Sequence, residues 1–204
     1  MKLIAVTQRV VVDPATGERR DALDQRWPRL LLQCGLVPLL VPNCLPAAQR
    51  LAAQLPLEGV LLTGGNDLAA YGGDAPERDE TEAFFLRDAL AGGLPLLGVC
   101  RGMQMIQHFL GVPLVRVEGH VALRHLLGGE GSSREVNSYH RLGARTSVAV
   151  LEVEATAPDG VIEAIRHRRR RVAGIMWHPE REEPATAADL AQLRSFFSSQ
   201  GEAE

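Results

Sequence analysis

Cysteine is scarce in this chain of 204 residues, which contains only Cys34, Cys44 and Cys100. Three scattered cysteines cannot form a disulfide framework, and without Cys-x-x-Cys pairs a structural zinc site is not expected. A chain of this length can bury a core without disulfides or metals. A reducing cytoplasm is therefore the expected location, and Cys100 would remain a free thiol there.

Long apolar runs and a strong excess of one charge are also missing. The opening segment MKLIAVTQRVVVD becomes polar too early for a signal-peptide core, and no later run is long enough to span a bilayer. The composition is 46% hydrophobic and 23% charged, with a formal net charge of -3. This balance argues against a protein that mainly binds nucleic acid or anionic membranes. Without repeats, linkers or a break in composition, we expect a single domain over residues 1–204.

Short apolar runs alternate with helical patterns in the first half of the chain. LIAVT (3–7), LVPLLVP (36–42), GVLLTGG (59–65) and LPLLGV (94–99) predict buried strands. Such strands alternating with helices predict an α/β fold, with an open, mostly parallel sheet covered by helices on both faces. After about residue 113, VPLVRV, REVNSYH, SVAVLEVEA, VIEAIRH and RVAGIMW predict an antiparallel extension of the same sheet. A closing helix is expected over residues 185–199.

The basic run RHRRRR (166–171) has two interpretations. It could form a patch that binds nucleic acid or another polyanion. It could also be the solvated turn between two antiparallel strands. We favour the turn because the chain as a whole is acidic.

Cys100 lies between an apolar run and a helical pattern, in the sequence GVCRG (98–102). A residue at a sharp turn from strand to helix projects outward, and flanking glycines relieve the crowding. The N-terminus of the following helix would stabilise a thiolate there. A lone cysteine is also often a small buried hydrophobic residue. The stretch taken alone leaves both interpretations open.

A cysteine nucleophile needs a base and a group that orients the base. His178, in GIMWHPE, follows a strand-like run, and Glu180 is close enough along the chain to contact its imidazole. The alternative for His178 is a loop histidine that happens to lie near a carboxylate. TGGND (63–67) could bring bare backbone close to a ligand, although a Gly-Gly pair also starts ordinary loops.

These motifs taken together resemble the class I glutamine amidotransferase superfamily. TGGND, GVCRGMQ and WHPE occur in that superfamily's order. The resemblance is closer to its free-standing γ-glutamyl hydrolase branch, peptidase C26, which has Arg after the cysteine, as Arg101 here. VNSYH (136–140), APDGVIEAI (157–165) and the RD..E pattern of Arg78, Asp79 and Glu82 also match this branch. The resemblance extends from LIAVTQR to WHPE, nearly end to end.

The resemblance also implies site residues and a reaction. The implied catalytic triad is Cys100, His178 and Glu180, and the implied oxyanion hole uses the backbone N–H groups of Gly65 and Arg101. The implied substrate-binding residues are Gln104, Asn137, Ser138, Tyr139 and His140. The thiolate would cleave a γ-glutamyl amide through a thioester, with no metal and no organic cofactor. The implied partner is a small γ-glutamyl substrate, with no nucleic acid and no membrane, and a homodimer is compatible with the sequence.

Two departures from the usual pattern of the branch concern the substrate. Relatives that cleave γ-glutamyl-γ-aminobutyrate continue SYH with His-Gln, but here Arg141 follows, and the loop between Val117 and Asn137 is shorter. TQR and HPERE resemble hydrolases of capsule and surface-polysaccharide pathways, which release a nucleotide phosphoramidate such as CDP-amidate. An anionic leaving group would need arginines near the pocket. The candidates are Arg101, Arg116, Arg124, Arg134 and Arg141.

Two other functions compete with the free-standing hydrolase. A glutaminase subunit would pass ammonia to a separate synthetase partner, and a catalytically inactive relative would only bind a ligand. Arg101 and the RD..E pattern favour the hydrolase over the glutaminase subunit. The three filled triad positions argue against the inactive relative.

Overall fold

The computed structural model describes residues 1–128 and 134–198. The strands within these residues are β1 (Lys2–Val6), β2 (Arg9–Val12), β3 (Arg19–Ala22), β4 (Leu36–Leu40), β5 (Leu57–Leu62), β6 (Leu96–Val99), β7 (Val115–Arg116), β8 (Val121–Leu127), β9 (Arg134–Tyr139), β10 (Leu142–Gly143), β11 (Leu151–Thr156), β12 (Ile162–His167) and β13 (Val172–Ile175). The α-helices are α1 (Arg26–Gln33), α2 (Leu45–Gln54), α3 (Pro76–Ala91), α4 (Arg101–Phe109) and α5 (Ala187–Ser198).

A central sheet organises the described part of the chain, with the strand order β11-β12-β13-β6-β5-β1-β4. Five strands of this sheet run parallel to one another: β13, β6, β5, β1 and β4. β12 and β11 extend this sheet in the antiparallel sense. The predicted fold class is therefore confirmed: a mostly parallel α/β sheet with an antiparallel extension.

Helices cover both faces of this sheet because the central strands are apolar on both sides. Val60 and Leu62 of β5 belong to a buried cluster that includes residues of α2, α3 and α4. Leu61, between them, belongs to a second cluster that includes residues of α1 and α5. None of the helices in the described residues combines the length and apolarity that a bilayer crossing requires.

The second half of the chain differs in detail from the sequence-based expectation. β13 pairs in parallel with β6, so it belongs to the main sheet and not to the extension. β7 with β10 and β8 with β9 form separate two-stranded ribbons. The shortened loop expected between Val117 and Asn137 contains β8, which was not predicted, whereas β9 lies within the predicted strand REVNSYH. The β2–β3 hairpin was not predicted. Alternation of apolar and polar residues indicates a strand but does not identify its partner.

The basic run lies at the turn between β12 and β13, which pair antiparallel. This confirms the interpretation as a turn. Some of its arginines stabilise the fold locally: Arg168 donates to the carbonyl of Ala149, and Arg166 pairs with Glu154.

Candidate active site

Cys100 occupies the sharp turn between β6 and α4. Its backbone has φ 53° and ψ -107°, a conformation that costs a non-glycine residue about 1–3 kcal/mol. The backbone N–H of Cys100 donates to Ile175 of β13 at 2.7 Å, and its carbonyl accepts the first hydrogen bond of α4 from Gln104 at 3.0 Å. The side chain therefore lies at the N-terminus of a nine-residue helix, where the helix dipole favours a thiolate.

The two glycines beside Cys100 are required by close packing. A Cβ at Gly98 would overlap the backbone of Gly102, and a Cβ at Gly102 would overlap the carbonyl of Leu62. The helix can start this close to the sheet only because both side chains are absent. The sequence GVCRG therefore forms the sharp turn from strand to helix that it predicts. We call this turn, residues 98–102, the elbow.

His178 lies against this elbow and is held by Glu180. Its Nδ1–H donates to Glu180 Oε1 at 2.7 Å, and both side chains are buried. A Cβ on Gly64 would lie 2.8 Å from His178 Cε1 and 3.7 Å from Cys100 Cβ, so the histidine and the cysteine face the same bare stretch of backbone. Within the described residues, His178 Nε2 is buried and has no partner with full hydrogen-bond geometry.

The pKa of His178 reflects these neighbours. Burial acts to lower it, but the charge and hydrogen bonding of Cys100 and Glu180 outweigh burial and raise the pKa to about 9. The imidazole is therefore protonated at neutral pH and carries a proton close to the sulfur atom.

Asn137 fixes the backbone of His178. Its side-chain Oδ1 accepts from the His178 N–H at 2.8 Å, and its Nδ2 donates to the His178 carbonyl at 2.9 Å and to Glu182 at 2.7 Å. The ring of Tyr139 stands edge-on to that of His178, with 5.7 Å between the centroids. β9 therefore supports the histidine from outside the central sheet.

Arg78 organises the backbone loop that faces Cys100. This fully buried guanidinium donates to the carbonyls of Thr63, Gly64 and Gly65 at 2.7, 3.1 and 2.8 Å. Carbonyls that are directed at Arg78 leave the N–H groups of the loop free to face the pocket, since the two ends of a peptide unit point in opposite directions. Gly65 has φ +89°, a backbone conformation that favours glycine.

The side chain of Arg101 points away from the pocket into a buried network of charges. It pairs with Glu82 and Asp79, and Glu82 also binds Arg78 at 2.8 Å. Thr7 donates to the same Glu82 carboxylate at 2.8 Å. The RD..E pattern of α3 therefore joins the Gly64–Gly65 loop to Arg101, the residue that follows Cys100. Sequence reasoning noted this pattern as a signature but did not find its structural role.

A cleft of about 360 Å³ opens next to Cys100. It is lined by Gly65, Asn66, Asp67, Cys100, Arg101, Gln104, Val121, Tyr139, His140 and Arg141. Three larger clefts lie elsewhere, and none of them is lined by Cys100. The cleft beside the cysteine is therefore the candidate substrate site.

Six of the residues expected at the site line this cleft: Gly65, Cys100, Arg101, Gln104, Tyr139 and His140. His178 and Glu180 bind each other next to the turn that carries Cys100 but do not line the cleft. The side chains of Asn137 and Ser138, expected to form a pocket wall, do not line the cleft. Asn137 binds His178, and Ser138 donates to the carbonyl of His120 at 2.8 Å. Gln104 and His140 line the cleft and both bind the carbonyl of Leu142.

The five arginines considered for an anionic leaving group differ in whether they are paired with carboxylates and whether they line the cleft. Arg101, Arg124 and Arg134 are paired with carboxylates of the protein, and Arg116 is exposed in β7. Arg141 is exposed and lines the cleft, and it pairs with no carboxylate among the described residues.

The family follows from comparison with known proteins. The model of the peptidase C26 family matches residues 2–118 and 112–180. The chain belongs to the peptidase C26 family. The chain is 31% identical to γ-glutamyl-CDP-amidate hydrolase of Campylobacter jejuni over 200 residues, which cover 96% of this chain and 97% of that protein. It is 29% identical to γ-glutamyl-γ-aminobutyrate hydrolase of Escherichia coli O157:H7, with 80% of each chain covered.

A solved structure with a similar fold is that of a glutamine amidotransferase from Thermotoga maritima. It has a TM-score of 0.68 at 13% identity, and the match covers 95% of this chain and 83% of that one. This likeness concerns the fold alone. The prediction that this chain belongs to the peptidase C26 branch of the class I glutamine amidotransferase-like superfamily is confirmed.

Proposed function

We propose that this chain is a hydrolase of small γ-glutamyl amides, with Cys100 as nucleophile, His178 as acid and base, and Glu180 as the orienting carboxylate. One observation carries the proposal. The thiol stands on a strained turn at a helix N-terminus, beside a buried histidine whose other ring nitrogen is held by a carboxylate at 2.7 Å. The names of the two relatives above, both γ-glutamyl hydrolases, support the substrate class.

In the first step the Cys100 thiolate attacks the γ-carbonyl carbon of the glutamyl group. The carbonyl oxygen takes the negative charge and binds the backbone N–H groups of Arg101 and Gly65, which form the oxyanion hole. His178 Nε2 gives its proton to the leaving nitrogen as the C–N bond breaks. The products of this step are the free amine or amidate and a γ-glutamyl thioester on Cys100.

In the second step water cleaves the thioester. His178, now neutral, accepts a proton from the water, and the hydroxyl group attacks the thioester carbon. The C–S bond breaks, glutamate leaves, and the thiolate and the protonated imidazole are restored. These steps use only groups of the protein and water.

The finer proposal concerns the leaving group. We propose that it is a phosphoramidate, such as that of a γ-glutamyl nucleotide amidate used in surface-polysaccharide synthesis. Arg141 is an exposed cation that lines the cleft and pairs with no carboxylate within residues 1–128 and 134–198, and the side chain of Arg9 lies over Gly65. Arginine suits phosphate because its planar guanidinium can donate two parallel hydrogen bonds. The name of the relative from Campylobacter jejuni, γ-glutamyl-CDP-amidate hydrolase, states a substrate of this class.

A substrate screen tests both levels of the proposal. The panel contains a γ-glutamyl nucleotide amidate, γ-glutamyl-γ-aminobutyrate, γ-glutamylputrescine and glutamine. The wild type should prefer the nucleotide amidate, and Cys100→Ala should remove turnover while the circular dichroism spectrum stays unchanged. The control is Cys44→Ala, because Cys44 is an exposed free thiol. Arg141→Gln should raise KM for the nucleotide amidate about tenfold and leave KM for the putrescine conjugate unchanged.

Three outcomes would contradict the proposal. Turnover retained by Cys100→Ala would exclude the nucleophile. Activity on glutamine that appears only with a partner protein would identify a glutaminase subunit. Binding of γ-glutamyl conjugates without any turnover would identify a protein that only binds its ligand.

A further inference from the structure

A group of buried imidazoles surrounds one carboxylate behind the wall of the cleft. Glu163 of β12 has no exposed surface, and His120, His125 and His140 face it from the β8–β9 ribbon and its ends. His120 Nδ1 and His140 Nε2 both lie 3.3 Å from Glu163 Oε1, and His125 Nε2 lies 3.6 Å from Oε2. We call His120, His125, His140 and Glu163 the histidine cluster. None of its members was needed in the reaction proposed above.

In His140 and His120, the ring nitrogen that faces away from Glu163 (the outer nitrogen) has a hydrogen-bond acceptor. This acceptor decides that the nitrogen facing Glu163 (the inner nitrogen) carries no proton when the ring is neutral. His140 Nδ1 is 3.0 Å from the carbonyl of Leu142, which can only accept, so Nδ1 is the N–H donor. His120 Nε2 is 3.3 Å from the carboxylate of Asp159 and is a donor for the same reason. In neutral rings His140 Nε2 and His120 Nδ1 then carry a lone pair and no proton. Two such nitrogens and a carboxylate cannot hydrogen-bond to one another unless a proton or a metal cation lies among them.

The cluster lacks the geometry of hydrogen bonds. Within the described residues, the inner nitrogens of all three histidines and both oxygens of Glu163 are buried without a hydrogen-bond partner. The atoms are therefore close to one another, but their N–H and lone-pair directions do not lie along the lines that join them. Five unpartnered polar atoms at one point would cost several kcal/mol if nothing joined them.

These distances and directions match those between neighbouring ligand atoms around a metal ion. Two ligand atoms at about 2.0–2.2 Å from a zinc ion, with a tetrahedral angle between them, lie about 3.3–3.6 Å apart. Their lone pairs then point at the ion and not at each other. One ligand atom from each of His120, His125 and Glu163 fits within a span of 4.8 Å. The bonds to Leu142 and Asp159 are those of histidines held in place as metal ligands.

The donor set of the cluster also suits a cation, because three imidazoles face one buried carboxylate. Imidazole nitrogens with one carboxylate are donors suited to zinc and other divalent transition metals, and not to Mg²⁺ or Ca²⁺.

We infer that His120, His125 and Glu163 bind one divalent transition-metal ion of the zinc type, with His140 beside the same carboxylate. The ion would join the β8–β9 ribbon to β12 of the central sheet. Asn137 and Tyr139, which hold His178, lie on this ribbon. The ion is thus a structural clamp for one wall of the cleft and takes no part in the acyl transfer.

Metal binding can be tested on the full chain purified without a histidine tag. After chelation and dialysis, Zn²⁺ alone is titrated by calorimetry, and Co²⁺ is titrated as a probe with visible absorption. We expect about one ion per chain, a cobalt spectrum of the tetrahedral type, and a Tm raised by about 5–10 °C at a Zn²⁺ concentration 100 times Kd. His125→Gln, at a partly exposed position, and Glu163→Gln should each weaken binding by at least tenfold to a hundredfold.

The matched control is His108→Gln, because His108 is exposed on α4, outside the cluster. The site is supported if the wild type and His108→Gln bind Zn²⁺ and both cluster variants bind it more weakly. The inference is overturned if the wild type binds no stoichiometric Zn²⁺ and its Tm does not respond to the metal. It is equally overturned if all four proteins bind alike. His125→Gln keeps the buried carboxylate and serves as the test if Glu163→Gln fails to fold.

Discussion

Asn137 lies outside the cleft but fixes His178, the residue that we propose as acid and base. Its amide binds both backbone groups of His178, so it sets the position of the imidazole without contacting the cleft. The side chain is buried, which makes its hydrogen bonds costly to lose. Asn137 is therefore a positioning residue and not part of a substrate-binding wall.

Replacing Asn137 with Ala should lower kcat about tenfold to a hundredfold with little change in KM, because the imidazole loses its position while the cleft keeps its lining. Stability should fall by about 1–3 kcal/mol, since buried donors and acceptors lose partners. Steady-state kinetics and urea unfolding measure the two effects. Asn43→Ala is the control, because Asn43 binds Gln8 and Asp21 away from the cleft. A rise in KM with unchanged kcat would restore a substrate-binding role for Asn137.

The raised pKa of His178 gives a second prediction, for Glu180→Gln. The leaving amine needs the proton of the imidazolium, so kcat/KM of the wild type should fall as the pH rises through about 9. Glu180 is one of the groups that raise the pKa of His178, and its neutral replacement should move this alkaline limb to lower pH. The pH profile of kcat/KM measures the shift.

Glu183→Gln is the control for this profile, because Glu183 is exposed in the same loop. Its alkaline limb should coincide with that of the wild type. An unshifted limb in Glu180→Gln would show that Glu180 does not act on His178.

At the scale of elements, α3 supports the catalytic end of the sheet without lining the cleft. Arg78 binds three successive carbonyls of the loop after β5, and Glu82 joins Arg78 to Arg101 at the start of α4. Burial lowers the pKa of Arg78, against the attraction of Glu82, to about 10, so the guanidinium remains charged at neutral pH. One helix therefore sets both proposed halves of the oxyanion hole.

Arg78→Lys should lower kcat by about tenfold to a hundredfold with KM nearly unchanged. A lysine ammonium is a point charge and cannot donate to three carbonyls in the fixed fork of a guanidinium, so the Gly64–Gly65 loop would lose its orientation. Steady-state kinetics on a folded sample is the measurement. Arg87→Lys on the exposed side of α3 should behave as wild type. Equal kcat in both variants would contradict the role given to Arg78.

The elbow could be predicted from the sequence, but the charge network could not. Gly98 and Gly102 flank Cys100 at fixed spacing, and the contact between Gly98 and Gly102 is local, although Gly102 also packs against Leu62 of β5. Arg78 and Glu82 lie one helical turn apart and would suit an ordinary exposed ion pair. Their burial depends on the loop after β5 and on Arg101 meeting them in space. Contacts of this kind depend on tertiary structure, which local patterns do not contain.

At the scale of the whole molecule, topology decides which residues meet. The order and apolar runs of the first strands predicted the parallel sheet, because buried strands alternate there with helices. The ribbons β7–β10 and β8–β9 could not be predicted, since alternating patterns fix a strand's faces and not its neighbour. The histidine cluster depends on one of these ribbons: His120, His125 and His140 come from β8–β9 and its ends, and Glu163 from β12. The sequence therefore did not indicate it.

Net charge also acts at the scale of the whole molecule. The chain carries a formal charge of -3, and its basic run is confined to the turn before β13. Arg169→Gln/Arg170→Gln should bind single-stranded RNA as weakly as the wild type at about 0.15 M salt, because an isolated turn offers too few phosphate contacts. Fluorescence anisotropy measures this. Saturable binding by the wild type that the double substitution removes would establish a polyanion site.

If Cys100 carries the glutamyl group during turnover, the acyl-enzyme can be trapped. The best conjugate from the substrate screen is mixed with the chain, the reaction is quenched in acid, and the intact mass and peptide map are recorded. We predict one glutamyl group in thioester linkage on Cys100, removed by hydroxylamine, present in Cys44→Ala and absent from Cys100→Ala. Turnover without any acyl group on Cys100, or an acyl group on another residue, would contradict the account.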